Sequence, residues 1–302
     1  MSNIHQPVLL REIIDKIDFN ACNLFLDGTY GGGGHTNEIL SKGSSVLALD
    51  NYKKSEIIAS SNQKFGRKFR FFRSNFKDID KIVSEKKINK KFDGVLLDLG
   101  FSSNQLEDDT VGLSFKNDVP LSMNYADYEI SAYDILNDYS EEQLTKIFRE
   151  YGEISNAKKL ANFILDYRKN KEIKSTFDFI DLLSKSRVNF GSSKINFATK
   201  PFQAIRIEAN KELENLSEFL FKINNYLNNN ALIFIISFHS LEDRIVKNSF
   251  KINSIKKDSS FQDGQSWGYE ILTKRPITAS KEELSRNPRS RSAKLRIAKY
   301  KC

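Results

Sequence analysis

Four short apolar runs alternate with segments of helical polarity in the first hundred residues, and this alternation most constrains the fold. The runs lie at residues 24–27, 45–50, 69–72 and 92–99, and their lengths suit buried strands. Strands that alternate with helices form βαβ units on a parallel sheet, almost always with right-handed crossovers. We therefore predict a Rossmann-like, doubly wound α/β core.

The pattern changes after residue 99, where no strand candidate occurs before residue 231. Ser140 with Gln143, and Ser175 with Asp178, are spaced as N-terminal capping pairs, and each opens a segment of helical spacing. A further helical stretch is predicted to end near Asn228. This middle part of the chain is therefore predicted to be helical.

The sheet is predicted to resume with the apolar run at residues 231–238. Ser240, with Asp243 three residues later, is predicted to be the N-cap of the next helix. Two more strand candidates, residues 268–273 and 293–300, have no helix-length apolar pattern between them. They are predicted to form an antiparallel pair at the sheet edge.

These patterns predict two domains. The core comprises residues 1–104 and 206–302, and residues 105–205 form an inserted all-helical domain. The fold class is thus α/β, with a Rossmann-like core interrupted by a helical insertion.

A glycine-rich loop, DGTYGGGGHT at residues 27–36, connects the first strand to the first helix and contains five of the 14 glycines of the chain. A nucleotide-type cofactor binds at this position of a Rossmann-like sheet. The loop lacks the Lys-Ser/Thr ending of a P-loop, which disfavours nucleoside triphosphate hydrolysis. It also departs from the dinucleotide-binding pattern, because Thr36 stands where the last glycine belongs.

Acidic residues end three of the predicted strands, at Asp27, Asp50 and Asp98, and residues 24–41 contain no Lys or Arg. Asp50 lies where an acidic side chain binds the ribose of an adenosine cofactor. A cationic sulfonium cofactor suits such an edge better than a diphosphate does, which favours S-adenosylmethionine. An NAD-dependent oxidoreductase remains an alternative, because Asp50 would serve either cofactor.

The net charge of +8 predicts an anionic partner. Residues 271–302 contain ten Lys or Arg and two Asp or Glu, whereas the first 270 residues contain 37 of each sign. The excess includes four clustered arginines, Arg286, Arg289, Arg291 and Arg296. Contact with nucleic acid is one interpretation, and pairing of some of these arginines with core carboxylates is the other.

Composition also bears on location and metals. Cys22 and Cys302 form no paired spacing, and no apolar run approaches the roughly 20 residues of a membrane helix. These features predict a cytoplasmic protein without a membrane partner. The three histidines, His5, His35 and His239, lack metal-ligand spacing, so no metal is predicted.

Six sequence blocks together resemble the ribosomal small-subunit methyltransferase H family. They are HQPVLL at 5–10, DGTYGGGGH at 27–35, LLDLGFSSNQL at 96–106, FQAIRI at 202–207, SFHSLEDR at 237–244 and NPRSRS at 287–292. The chain departs from the family in having LSMN at 121–124, where LDMR is common, and KP at 200–201, where an Arg is usual.

The resemblance implies S-adenosylmethionine-dependent N4-methylation of a cytosine in the decoding region of 16S ribosomal RNA, within the small ribosomal subunit. It also implies a class I methyltransferase core with a helical insertion. By matching position, it assigns cofactor contacts to Gly33, Gly34, His35, Asp50, Phe76, Asp98 and Gln105.

Asp98 is the candidate catalytic residue. The exocyclic nitrogen of cytosine is a poor nucleophile, and a carboxylate that accepts its N–H would localise the lone pair and take or relay the proton. Alternatively, Asp98 only holds the cofactor. His239, at the end of a strand, is either catalytic or an orienter of the loop and helix cap. A non-catalytic RNA-binding assembly factor and a homodimer also remain open.

Overall fold

The computed structural model describes residues 6–114, 116–126, 130–190, 196–255 and 267–302. His5, the first residue of the first resemblance block, lies outside these ranges. The strands are β1 (Leu24–Asp27), β2 (Ser45–Asp50), β3 (Phe69–Arg73), β4 (Phe92–Asp98), β5 (Leu227–Ser237), β6 (Gly268–Ile271) and β7 (Lys294–Lys301).

The helices are α1 (Leu10–Ile14), α2 (Gly34–Ser41), α3 (Ser55–Ala59), α4 (Ile79–Glu85), α5 (Ser103–Leu106), α6 (Ala132–Asp138), α7 (Glu141–Glu150), α8 (Ala157–Arg168), α9 (Thr176–Lys185), α10 (Thr199–Asn210), α11 (Glu212–Lys222), α12 (Ser240–Ile252) and α13 (Lys281–Arg286).

The described strands form one sheet in the order β3-β2-β1-β4-β5-β7-β6. Neighbours from β3 to β5 pair in parallel, whereas β7 is antiparallel to both β5 and β6. The predicted Rossmann-like α/β core and the antiparallel pair at the edge are therefore confirmed.

Alternate residues of the central strands pack on opposite faces of the sheet. Leu26 and Leu97 belong to the apolar core on one face, and Phe25 and Phe234 belong to the core on the other. The Phe25 and Phe234 rings stack with their centroids 6.2 Å apart. Apolar packing on both faces explains why these strands are continuous apolar runs in the sequence.

The chain divides into two compact units, one comprising Met1–Phe101 with Leu213–Cys302 and the other Ser102–Glu212. In the described part of the second unit the regular elements are helices. Leu144, Ile147 and Phe148 of α7 are buried in its core together with Leu160 and Ile164 of α8. The helical insertion is thus observed, whereas its bounds as a domain, 105–205, stay a prediction.

Two capping pairs in the second unit are confirmed. The side chain of Ser140 accepts the N–H of Gln143 at the start of α7, and that of Ser175 accepts the N–H of Asp178 at the start of α9. In both, the later side chain accepts the backbone N–H of the serine in return. These bonds are local, so their sequence spacing is sufficient to predict them.

The predicted N-cap Ser240 is wrong by one residue. His239 is the N-cap of α12, and its Nδ1 accepts the N–H of Glu242 at 3.4 Å. An Oε2 of Glu242 accepts the N–H of His239 at 3.3 Å in return. The imidazole nitrogen accepts the N–H that a hydroxyl or carboxylate oxygen usually accepts at an N-cap, and Ser240 is the first residue of the helix.

The predicted helical stretch to Asn228 is also too long. Helix α11 ends at Lys222, a 3₁₀ turn covers Ile223–Tyr226, and β5 begins at Leu227, four residues before the predicted strand. Residues 228–230 are polar, and two of them are exposed. The polar start of β5 therefore concealed it.

Arg296, one of the four clustered arginines, is held inside the fold. Its Nε and Nη2 atoms lie 2.6 and 3.1 Å from the two carboxylate oxygens of Asp243, and the side chains are only 8% and 14% exposed. Such a bidentate pair has fixed geometry. Of the two interpretations of the clustered arginines, pairing with a core carboxylate is correct for Arg296.

The structure bears on two features that the composition raised, the cysteines and the lack of a long apolar run. Cys22, buried, and Cys302, exposed, are free thiols. Within the described ranges, no helix has the length and apolar character needed to cross a membrane.

Replacing Asp243 by Ala is expected to lower the free energy of unfolding by about 3–5 kcal/mol, because it leaves the Arg296 guanidinium buried without its counter-charge. Urea denaturation measures the change. The matched control is Asp78→Ala, which breaks the more exposed Lys81–Asp78 pair and is expected to cost about 1 kcal/mol or less. Equal losses in the two variants would contradict a structural role for Arg296.

Candidate active site

Three aspartates meet at one edge of the sheet because their strands are parallel and adjacent. Asp27 ends β1 and is aligned with Ala48 of β2 and Leu96 of β4. Asp50 and Asp98 lie two residues beyond these partners, at the ends of β2 and β4. The three carboxylates therefore lie at the carboxyl edge of the sheet, where ligands of α/β folds bind.

The buried carboxylate of Asp27 joins the two ends of the glycine loop. Its oxygens accept the hydroxyl of Thr36 at 2.6 Å and the N–H of Thr29 at 3.1 Å. Burial raises the pKa of Asp27 to about 6, although both hydrogen bonds favour the charged form.

The carboxylate of Asp50 holds the middle of the loop. It accepts the N–H of Gly31 at 2.6 Å and the N–H of Tyr52 at 2.8 Å. Burial raises its pKa, and these backbone hydrogen bonds act in the opposite direction. Asp50, which is predicted to bind the cofactor ribose, therefore also orders the loop.

Asp98 differs from the other two because one of its oxygens lacks a donor. Oδ1 is buried and has no hydrogen-bond partner among the described residues, while Oδ2 lies 3.9 Å from Nδ1 of His35. Burial, followed by the charges of Asp27 and Glu242, raises the pKa of Asp98 well above its ordinary value. A buried acceptor without a donor is costly, so this oxygen marks a position for a ligand donor.

His35, in the first turn of α2, is oriented by the chain that precedes β1. Its Nε2 lies 2.9 Å from the carbonyl oxygen of Val8, and because a carbonyl only accepts, Nε2 carries the proton. In the neutral ring Nδ1 is then an acceptor, and it faces Asp98. Two acceptors that face each other favour a protonated Asp98 or a cationic ligand.

Two glycines of the loop are required by packing. Gly33 has φ +76°, and a Cβ there would lie 2.6 Å from the hydroxyl of Tyr30. A Cβ on Gly34 would overlap the ring of Pro7. Their predicted contact with a cofactor stays a prediction, and the structure adds this second reason for glycine.

Phe76 follows β3, and its ring packs edge-to-face against Phe219 of α11, with the centroids 5.5 Å apart. A Cβ on Gly28 would lie 3.1 Å from that of Phe76, so the aromatic residue lies beside the start of the loop. Gln105 belongs to the second unit. Its Oε1 accepts the N–H of Ser102 at 2.7 Å, which orders the start of α5.

The residues before α1 are attached to the C-terminal part of the chain. Oε1 of Glu283 accepts the N–H of Leu9 at 2.8 Å, and Nδ2 of Asn287 donates to the carbonyl oxygen of Gln6 at 3.1 Å. Because Val8 lies between these two points and contacts His35, we call residues 6–9 the N-terminal clasp. Two of the resemblance blocks thus contact each other, which their sequence separation conceals.

Glu242 is a site residue that sequence reasoning missed. It is 3% exposed, accepts the N–H of Phe238 at 2.8 Å, and its charge contributes to the raised pKa of Asp98. The three-residue spacing from His239 was the available signal, but capping rules do not include histidine. Of the two roles considered for His239, the structure shows the cap.

The family model of the MraW methylase family matches residues 2–301. The chain belongs to this family. The resemblance seen in the six sequence blocks is thereby confirmed.

Curated relatives agree with membership in the MraW methylase family. A protein of Fusobacterium nucleatum subsp. nucleatum named ribosomal RNA small subunit methyltransferase H is 40% identical over 306 residues, covering 98% of this chain and 96% of the relative. A protein of Rickettsia prowazekii with the same name is 40% identical over 309 residues, with 99% of each covered.

A crystal structure of an rRNA methylase from Streptococcus thermophilus is similar to this chain with a TM-score of 0.41 and 9% sequence identity. The match covers 94% of this chain and 92% of the methylase chain. Similarity at this level carries no weight for the function of this chain.

Replacing Asp98 by Asn is expected to stabilise the ligand-free protein at pH 8 by at least about 1 kcal/mol, because burial opposes ionisation of Asp98 and each unit of raised carboxyl pKa costs about 1.4 kcal/mol. A raised pKa means that the unfolded chain releases the proton at a lower pH than the folded protein does. The cost of Asp98 therefore grows as the pH rises above about 4. Urea denaturation at pH 4, 6 and 8 measures it.

The gain should be largest at pH 8 and should vanish near pH 4. The control is Asp15→Asn, because Asp15 is 64% exposed and is expected to show a change within about 0.5 kcal/mol at each pH. A gain for Asp98→Asn that does not depend on pH would show that ionisation of Asp98 is not its cause.

Proposed function

We propose that this protein uses S-adenosylmethionine to methylate N4 of a cytosine in the decoding region of 16S ribosomal RNA. Membership in a methylase family and the names of its relatives support the reaction and the RNA class. The observation that carries the proposal is the buried Oδ1 of Asp98 at the ligand edge of the sheet, an acceptor to which no described residue donates.

The residues at this edge suit a cationic cofactor. Asp27, Asp50 and Asp98 bring three carboxylates together, and residues 24–41 supply no Lys or Arg that would bind a diphosphate. Gly33, Gly34, His35, Asp50, Phe76, Asp98 and Gln105 are the proposed cofactor contacts. The same features, with the methylase family, argue against an NAD-dependent oxidoreductase.

S-adenosylmethionine, when bound, supplies a methyl group on a cationic sulfur. A cation at this edge favours the charged form of Asp98 and counteracts the burial that raises its pKa. Binding would therefore lower the pKa of Asp98 and favour the carboxylate, which is the form able to accept a proton.

Asp98 is proposed to accept one N–H of the cytosine amino group. That hydrogen bond localises the nitrogen lone pair, and as N4 gains the methyl group it releases one proton, which the carboxylate takes or relays. His35 is a positioning residue here, because Val8 fixes its Nε2 proton and leaves Nδ1 facing Asp98.

The target base must leave its stack before N4 can reach the methyl group, so the substrate presents a splayed-out nucleotide. We propose the small ribosomal subunit as the partner and the cytoplasm as the location, since that is where this RNA resides. The absence of a metal stays a prediction, and so does the formation of a homodimer.

The decisive experiment uses tritiated S-adenosylmethionine and small ribosomal subunits from cells that lack the enzyme. Label is expected on N4 of one decoding-region cytosine, located by nuclease mapping and nucleoside analysis. Asp98→Ala should lower the rate at least about a hundredfold, the low end of general-base contributions. Label on another base would contradict the cytosine assignment.

Cofactor binding without any label on RNA would instead favour the non-catalytic assembly factor. An Asp98→Ala enzyme that retains wild-type kcat would exclude a proton-accepting role for this residue.

Glu283→Ala is expected to weaken S-adenosylmethionine binding several-fold, although Glu283 lies in α13. The substitution leaves the N–H of Leu9 without its acceptor and loosens the N-terminal clasp that orients His35. Isothermal titration calorimetry measures the affinity. The neighbouring Glu282→Ala is the matched control, because Glu282 is exposed and should bind as wild type does. Equal affinities for both variants would contradict the coupling.

A further inference from the structure

A second concentration of positive charge surrounds β3. Residues 53–91 contain thirteen Lys or Arg and four Asp or Glu, a net charge of +9. The neutral sum over the first 270 residues hides this segment, because the remaining residues of that range carry a net charge of −9. Net positive charge is therefore concentrated in two segments, residues 53–91 and residues 271–302.

The cations near β3 converge on an aromatic ring. Cζ of Arg70 lies 5.2 Å and Nζ of Lys86 lies 5.3 Å from the centroid of Phe72. Nη2 of Arg70 also donates to the carbonyl oxygen of Lys86 at 3.3 Å. Both cationic side chains are exposed, and neither forms a salt bridge to a carboxylate of the described residues.

Two cations on one ring repel each other, and the ring offsets only part of that repulsion. An anion bound by both side chains would offset the remainder. Nζ of Lys64 lies 5.3 Å from the ring centroid of Phe65 in the same basic segment, but Phe65 packs on the opposite face of the sheet from Phe72 and is not part of this cluster.

The location of β3 connects this charge with the site. In the described sheet β3 pairs only with β2 and is an edge strand. Arg73, at its end, is aligned with Asp50. Arg70 to Arg73 spans about 10 Å at the usual rise of a strand, so a ligand lying along β3 would reach the edge where Asp50 and Asp98 lie.

We propose that this β3 surface, comprising Arg70, Phe72 and Lys86, binds the phosphate backbone of the substrate RNA. The inference rests on the proposed function, which supplies the RNA. The planar guanidinium of arginine matches phosphate oxygens, and aromatic rings stack on unpaired bases. The Phe72 ring is half-buried, so its accessible part is what a base would contact. Single-stranded RNA beside a splayed-out nucleotide offers both groups.

The test compares two double variants of equal charge. Arg70→Gln with Lys86→Gln removes both cations from Phe72, and Lys247→Gln with Lys251→Gln removes two exposed cations from α12. Fluorescence anisotropy measures binding to a 16S ribosomal RNA transcript from 50 to 200 mM salt, and calorimetry measures S-adenosylmethionine affinity.

The β3 variant is expected to bind RNA about tenfold more weakly at 150 mM salt. Its slope of log K against log salt should fall by about 1.4–1.8, the value for two lost phosphate contacts. The control variant should stay within about twofold of wild type, and thermal unfolding and cofactor affinity should not change in either.

Equal weakening in both variants would overturn the proposal, because net charge alone would then explain it. Wild-type RNA binding by the β3 variant would also overturn it and would assign these charges to protection of the sheet edge. Loss of binding to anionic phosphatidylglycerol vesicles, with RNA binding intact, would assign the surface to a membrane.

These outcomes can be separated from failure of the proposed function. Methylation of the subunit with no effect of the β3 substitutions on RNA binding removes only this inference. Weakened RNA binding in the β3 variant, with no methylation by wild-type protein, removes only the proposed reaction.

Discussion

Burial of three carboxylates at one edge of a parallel sheet is the constraint on which the site depends. Parallel pairing of β1 with β2 and β4 places Asp27, Asp50 and Asp98 at this edge. The surrounding protein removes Asp27 and Asp50 from water and buries the Oδ1 atom of Asp98. Two of them are satisfied by the glycine loop, through Thr36 and the N–H of Gly31. The loop therefore takes its shape from the need to satisfy buried charge.

Asp98 is left with an oxygen that no residue in the described part of the chain satisfies. Ligand-free, this arrangement favours the protonated acid, because burial and the neighbouring charges of Asp27 and Glu242 oppose ionisation. Stability and reactivity are thus opposed at one residue, as is common where a site must bind a charged group. A cationic ligand would reconcile them.

The two ends of the chain contribute to the same site through hydrogen bonds between side chains and the backbone. The N-terminal clasp positions His35, and Glu283 and Asn287 hold the clasp. Strand β7 brings Arg296 against Asp243. The basic tail is therefore partly structural, and the exposed cations around β3 provide a separate surface for an anion.

The sequence by itself determined the presence and order of the strands, although not the start of β5, together with the capping pairs at Ser140 and Ser175 and the family. These features depend on residues close in the chain or on ordered blocks. It could not show that His239 caps α12, since rules for caps omit imidazole. Nor could it show which carboxylate lacks a donor or which arginine has a partner. Those features were decided by the tertiary structure, because burial and pairing depend on residues such as Asp243 and Arg296 that are distant in sequence and adjacent in space.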